Sequence, residues 1–361
     1  MGCGFEYGSE DIILFQINVT RDCNLRCDHC YIHSDVKASS KFMTREQFLD
    51  VASGIARLLE KNPSRKAEIH VVGGEPTMLG QAFYDDVMPE VHRMFDGLGR
   101  EIILVSNLLR KEARNIAVFF DRVSTSWEPD TRFPKPRLEE IWKANTKDII
   151  ADGHDVSCTI SMTNTVVHTE PEKILDMLLD IGIRQAHFGF FIPEGDGLVN
   201  MNNLFPEFEE TSHFLIELTR VWKNTPRFHD MIINPVASMI SSLESSKISQ
   251  DVVCPILTGS LDINWDGNCN SCLEAGGSLN PSYVGNVFRD GVEGVMSSRG
   301  FIKEVAWATR PKKPCVTCEY QNICRGACSV LFKHYRHGES TDCPGFKKWI
   351  SWLDREVVHG S

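Results

Sequence analysis

Six short apolar runs, each followed by a stretch with helical periodicity, limit what this chain can become. The runs are IILFQINV (12–19), AEIHVV (67–72), EIILVSN (101–107), RVSTSWE (122–128), DVSCTISM (155–162) and QAHFGFFI (185–192). Short runs bounded by turn residues and rich in β-branched and aromatic side chains read as strands. Helices are expected over 44–60, 82–95, 110–119, 137–153, 171–182 and 206–222. Thr44 sits at the N-cap of the first, and Gln47 three residues on completes a capping box. Gly153 closes the fourth and Pro171 opens the fifth. Strands joined by helices pair in parallel, because parallel neighbours need a crossover connection. The fold class is therefore α/β. Six units fall short of the eight in a closed barrel, so a partial TIM-like (β/α)6 barrel and an open doubly wound sheet are both allowed. Either architecture gathers ligands at the C-terminal ends of its strands. Cys23, Cys27 and Cys30 leave the first strand at that end, and Gly73-Gly74-Glu75-Pro76 leaves the second.

Beyond residue 235 the pattern changes. The Ser-rich stretch MISSLESSKISQD (239–251) marks a boundary. The expected division is a barrel over 1–235, a linker over 236–253, a cysteine-rich α+β unit over 254–345 and a closing amphipathic helix over 346–361. A strand and tight turn are expected at Asp266-Gly267.

The chain has 361 residues and 13 cysteines. Eleven of these fall in two groups, three in 23–30 and eight in 254–343; Cys3 reads as a tail thiol and Cys158 as a small apolar strand residue. The N-terminus lacks a basic region followed by an apolar one, and no apolar stretch approaches the ~18 residues of a spanning helix. The expected location is therefore cytoplasmic, without membrane attachment. Clustered thiols in a reducing compartment are metal ligands or redox groups more often than disulfides. A net charge of −11 argues against a surface that tracks phosphates, so nucleic acid is not an expected partner.

Three thiolates at short spacing can hold three irons of a 4Fe–4S cluster and leave the fourth open. A structural zinc site would need a fourth ligand from elsewhere. CNLRCDHC (23–30) matches the Cys-x3-Cys-x-aromatic-Cys motif of the radical S-adenosylmethionine (SAM) superfamily, with His29 in the aromatic slot. The chain resembles that family further along its length. Gly73, Gly74, Glu75 and Pro76 match the loop that meets the SAM amino group, where glycines allow close backbone approach and Glu75 faces an ammonium. Ser106-Asn107 resembles the polar pair after strand three. Ser126 and Glu128 resemble a Ser-x-Asp ending of strand four, and Ser161 ends strand five. Phe191 to Gly197, with Ile192, resembles the strand-six segment that passes the adenine.

The second group is similar to the seven-cysteine SPASM extension, which holds two auxiliary 4Fe–4S clusters. Cys315-x2-Cys318 alone could also open a zinc ribbon. The resemblance implies that Cys315, Cys318, Cys324 and Cys343 hold an outer cluster, and that Cys254, Cys272 and Cys328 hold an inner one. Ser260 stands where some members place a fourth inner ligand. Cys269, an eighth cysteine spaced Cys-x2-Cys from Cys272, is the expected replacement.

The resemblance implies three clusters, SAM as cofactor and an external flavodoxin- or ferredoxin-like electron donor. It implies that a 5′-deoxyadenosyl radical abstracts hydrogen from an unactivated C–H bond, with an auxiliary cluster accepting an electron afterwards. Sulfatase maturases of this family carry an Asp base directly after the second cysteine of the extension. Here Leu273 stands there with Glu274 next, so Glu274 and Glu128 are the candidate catalytic groups and sulfatase maturation is disfavoured. The expected reaction is oxidative modification, such as cross-linking, of a ribosomally made peptide. Dehydrogenation of a sugar or aminocyclitol is the alternative, and a non-catalytic electron-transfer role a further one.

Overall fold

A computed structural model of the chain describes residues 12–245, 254–336 and 340–360. The six expected strands form: β1 (Ile12–Thr20), β2 (Lys66–Gly73), β3 (Arg100–Val105), β4 (Arg122–Ser126), β5 (Val156–Met162) and β6 (Gln185–Phe190). Helices α1 (Arg45–Lys61), α2 (Gln81–Met94), α3 (Glu112–Ala117), α4 (Pro136–Ala151) and α5 (Pro171–Asp180) connect them, and α6 (Phe208–Asn224) follows β6. All neighbouring pairs from β1 to β6 are parallel. The Thr44–Gln47 capping box is present at the start of α1.

Alternation along each strand sorts its side chains. In β1 Ile13, Phe15, Ile17 and Val19 are buried in an apolar layer shared with Phe48, Ile55 and Leu59 of α1. Asn18 lies on the other face and meets Asp262. A second apolar layer packs β4 to β6 against Trp142 of α4, Leu175 of α5 and Leu215 of α6. The helices thus cover one face of the sheet, and the opposite face lines a polar interior.

The wall does not stop at six strands. β7 (Ile232–Asn234) adds in parallel to β6, and helix α7 (Val236–Ser245) falls inside the segment 236–253 expected as a linker. Residues 246–253 of that segment, and Cys3, lie outside the described residues. The cysteine-rich region contributes β8 (Leu261–Asn264), β9 (Asn268–Asn270) and β10 (Gly285–Asn286). β8 pairs in parallel with β1, and β9 and β10 continue antiparallel. Among the described residues the result is one ten-stranded sheet in the order β10-β9-β8-β1-β2-β3-β4-β5-β6-β7. Its two ends do not pair, so this is a partial barrel and not a closed one.

Helices α8 (Val287–Met296) and α9 (Arg299–Ala308) follow β10. Closing helix α10 (Lys347–Leu353) buries Trp349, Ile350 and Leu353 in the layer that also holds Leu215 and Leu218 of α6. Among the described residues no helix is long and apolar enough to cross a membrane.

Candidate functional site

The cysteine loop leaves the C-terminal end of β1 and is gripped from three sides. The Gly74 N–H donates to the Thr20 carbonyl and the Glu75 N–H to that of Asp22, each at 2.9 Å. A Cβ on Gly73 would stand 2.0 Å from the Thr20 oxygen, and one on Gly74 2.1 Å from that of Asp22. Only glycine fits, because the neighbouring backbone fills the place of a side chain. These glycines therefore admit the cysteine loop itself, where the sequence suggested close approach to a ligand. On the second side the Gly197 N–H donates to the Cys30 carbonyl at 3.0 Å, and on the third the His33 N–H donates to the Gly277 carbonyl at 2.9 Å.

Glu75 is tied into the protein as well. It is fully buried, and four protein donors engage its carboxylate. They are the Thr77 N–H (3.0 Å) and hydroxyl (2.6 Å), the Ser106 hydroxyl (2.8 Å) and the Asn107 N–H (2.8 Å). Four bonds come close to a carboxylate's full accepting capacity. Three of the bonds fall on Oε1 and one, from the Asn107 N–H, on Oε2, and Glu75 ties the turn after β2 to the end of β3. The Ser106 hydroxyl is committed to the same tie. Asn107 reaches the cysteine loop, its Nδ2 donating to Asn24 Oδ1 at 2.7 Å and standing 3.8 Å from Cys23 Sγ. Buried Pro76 begins a single turn of 3₁₀ helix, and its carbonyl accepts from Tyr84 at 2.8 Å.

Glu128, a candidate base, is likewise committed. It is 1% exposed and accepts from Arg132 Nε at 2.6 Å and from the Ser161 N–H at 3.0 Å. His29 Nε2 stands 3.3 Å away, and the other ring nitrogen bonds Thr131. Burial works against the charge, but Arg132 and His29 outweigh it and keep the carboxyl below its usual range. A carboxylate held ionised among three donors is a poor proton acceptor, so Glu128 is an anchor for His29 and Arg132. Ser161 takes part through its backbone, Ser126 ends β4 on the polar face, and Ile192 is half-buried beyond β6. The local sequence did not mark Arg132. Its one signal was the i,i+4 spacing from Glu128.

Within the cysteine-rich region the thiols gather as an outer and an inner group. Cys315, Cys318, Cys324 and Cys343 line one cavity of about 480 Å³. Cys272, Cys328 and Cys254 lie within reach of one another's charge; burial first, and then these charges, push the thiols up, to about 12, 12 and 11. Burial likewise lifts Cys23 to about 12, helped by Glu75, and Cys27 to about 11, against Arg132. Thiols so far from ionising become thiolates only against strong positive charge, which bound iron supplies. Among the described residues no three His, Cys, Asp or Glu side chains converge as on a single metal ion. Four thiols opening on one cavity are a donor set of the kind an iron–sulfur cluster takes.

Cys269 does not join them. It is wholly buried in the apolar layer with Ile263, Val287 and Val295, and its thiol donates to the Gly267 carbonyl at 3.2 Å. In β9 it pairs with Ile263, so the pleat turns both side chains to the same apolar face. Ser260 is buried and donates to the Ser271 carbonyl at 2.8 Å.

Glu274 lies between the cysteine loop and the inner cysteines. It is half-buried, and its carboxyl is pushed up to about 7 by burial and by Asp262, with Arg21 pulling the other way. Arg21 was not legible from local sequence either. Wholly buried, it pairs with Asp262 of β8 at 2.7 Å and donates to Asn264 at 2.6 Å.

The radical SAM superfamily model matches residues 17–207, and the chain belongs to that superfamily. Membership carries a 4Fe–4S cluster and SAM as cofactors. Among solved structures, native anSMEcpe with bound AdoMet and Cp18Cys peptide has a TM-score of 0.78 at 14% identity, over 96% of this chain and 98% of that one. Hexahistidine-tagged anSMEcpe with bound AdoMet gives 0.77 at 16%, with the same coverage. Streptococcus suis SuiB bound to precursor peptide SuiA gives 0.61 at 13%, over 91% of this chain and 74% of that one. The fold is thus that of a radical SAM barrel with a SPASM extension, and the eight cysteines from Cys254 onward are consistent with that extension. No curated protein matches the chain.

Proposed function

We propose that this chain is a SPASM oxidoreductase that oxidises a ribosomally made peptide at an unactivated carbon, with cross-linking as the favoured outcome. Cys23, Cys27 and Cys30 would hold the first cluster. Cys254, Cys272 and Cys328 would hold an inner auxiliary cluster, and Cys315, Cys318, Cys324 and Cys343 an outer one. When bound, these groups and SAM supply one-electron cleavage, hydrogen-atom abstraction and an electron acceptor.

One observation carries the oxidative reading. The Arg21–Asp262 ion pair and the β1–β8 pairing join the strand that leads into Cys23 to the strand beside the inner cysteines. Glu274 stands in that seam, and it is the group proposed to accept the proton that an oxidised substrate must lose. Its raised affinity for protons suits a base that works near neutrality. Glu128, Arg132 and His29 brace the cysteine loop from the other side. The solved neighbours that carry a peptide support the choice of substrate class, and their support is that of a shared fold.

The test is Glu274→Gln, assayed anaerobically with a peptide that the unaltered enzyme oxidises. SAM cleavage is expected to continue while loss of a hydrogen pair from the peptide, read by mass spectrometry, falls at least about 100-fold. Full product from this variant would remove Glu274 from the reaction. A peptide left unchanged by the unaltered enzyme, alongside oxidation of an aminocyclitol, would replace the substrate class.

A further inference from the structure

The segment just after the third cysteine of the loop folds into a short helix, Ser34–Ser39, and buries a lysine. The Lys37 side chain is 1% exposed, and its ammonium pairs with Asp196 Oδ2 at 2.9 Å. Lysine is seldom buried, because an ammonium out of water is costly unless opposite charge meets it. Asp196 also accepts from the Ser34 N–H through Oδ1, at 2.8 Å. It stands in the turn Gly195–Val199 beyond β6, which is pressed onto the cysteine loop. A Cβ on Gly195 would lie 2.1 Å from the Tyr31 carbonyl oxygen, and one on Gly197 2.9 Å from that of His29. Beside them Asn200 Nδ2 donates to the Asp28 carbonyl at 3.1 Å. The ion pair is therefore held firmly against the loop.

Asp196 explains how the ammonium is tolerated, and the cysteines show where its charge is needed. Negative charge crowds the loop. The Glu75 carboxylate acts on Cys23, that of Glu128 acts on Cys27, and the three thiols act on one another. Each thiolate that binds iron adds to this, and away from water such repulsion is poorly screened. Two buried cations answer it, each held by a carboxylate of its own. Arg132, held by Glu128, acts on Cys27 and Cys23. Lys37, held by Asp196, acts on Cys30 and also on Cys27. Together the two cations reach all three thiols.

We propose that Lys37 is a positioning residue for the cluster on Cys23, Cys27 and Cys30: Asp196 holds its ammonium beside Cys30, and the positive charge keeps that thiolate on iron. Lys37 acts through the cysteine, and contact with substrate is no part of the role. The inference rests on the reading of the three cysteines as cluster ligands and is independent of the substrate class.

Two variants separate this charge from a mere latch between Lys37 and Asp196. Asp196→Asn breaks the ion pair but leaves the ammonium and an oxygen for the Ser34 N–H. Lys37→Met combined with Asp196→Asn removes the ammonium as well and leaves no buried charge alone, which a fold tolerates better than the loss of one partner. Each is loaded with iron anaerobically and mixed with a ferrous chelator. The irons at issue are the four or so that a Cys23/Cys27/Cys30 alanine variant lacks. The double variant is expected to release them about tenfold faster than Asp196→Asn. Its first cluster, followed by electron paramagnetic resonance, is expected to be reduced at a more negative potential, since a nearby positive charge favours the reduced state. The irons on the extension should leave at the same rate in both. Equal release of the first four irons, or equal potentials, would make Lys37 half of a latch and overturn the proposal. Should Asp196→Asn itself fail to fold or to hold iron, Lys37→Arg against Lys37→Met decides. The variant that keeps the charge should keep the irons that the neutral one sheds, and equal loss overturns the proposal. An unaltered chain with no iron on the three cysteines overturns the cluster reading and this inference together.

Discussion

In the three-residue strand β9, Asn268 and Asn270 turn to one side and Cys269 to the other. Asn270 pairs with Asp262 while Cys269 pairs with Ile263, so one step of register decides whether a thiol meets iron or apolar core. Cys269→Ala should therefore keep the full iron content and visible spectrum, and lower stability by only about 1 kcal/mol through the small cavity it leaves. Loss of iron from that variant would return Cys269 to the ligands. Glu75 makes the opposite case, a residue noticed for a ligand that also carries four hydrogen bonds within the protein. Glu75→Ala orphans up to four buried donors, each costing about 1–3 kcal/mol. It should cost the chain its folded cysteine loop, seen as iron loss and a lower melting temperature, before any effect on SAM affinity can be measured. A stable, fully iron-loaded Glu75→Ala that binds SAM weakly would restore the ligand-facing role.

Single elements carry the join between barrel and extension. In α1, Gly54 faces α8, and a Cβ there would stand 2.7 Å from Val292 Cγ2. Helix propensity alone favours alanine by about 1 kcal/mol. Val292 is β-branched and 2% exposed, so it cannot swing aside, and overpacking of this kind costs roughly 1–3 kcal/mol. Gly54→Ala is therefore expected to lower the melting temperature. A rise would mean that α8 is free to shift away from α1. At the start of the same helix the capping box needs no tertiary partner, and Thr44→Ala should cost about 1 kcal/mol in denaturant unfolding.

Across the whole molecule, what could be read in advance is what local periodicity encodes. The six strands, their helices and the Thr44–Gln47 cap follow from spacing over a few residues. The three glycine contacts that hold the cysteine loop, the pairing of β8 with β1 and the Arg21–Asp262 bridge join residues far apart in the chain, some more than 200 positions. No local pattern announces such partners. Arg132 was overlooked for a related reason, since one arginine four residues after a glutamate is common on any solvated surface. The two cysteine groups were legible because their spacing is itself the chemistry. That Cys269 turns into the apolar layer depended on a register that had to be seen.

The central claim is that the loop at the end of β1 holds the cluster on which SAM is cleaved. Anaerobic reconstitution of the unaltered chain should give about twelve irons, from three 4Fe–4S clusters. Replacing Cys23, Cys27 and Cys30 together with alanine should remove about four of these and leave about eight on the extension. Formation of 5′-deoxyadenosine from SAM and dithionite, followed by chromatography, should fall to background in that variant. Continued 5′-deoxyadenosine formation by the triple variant would contradict the account.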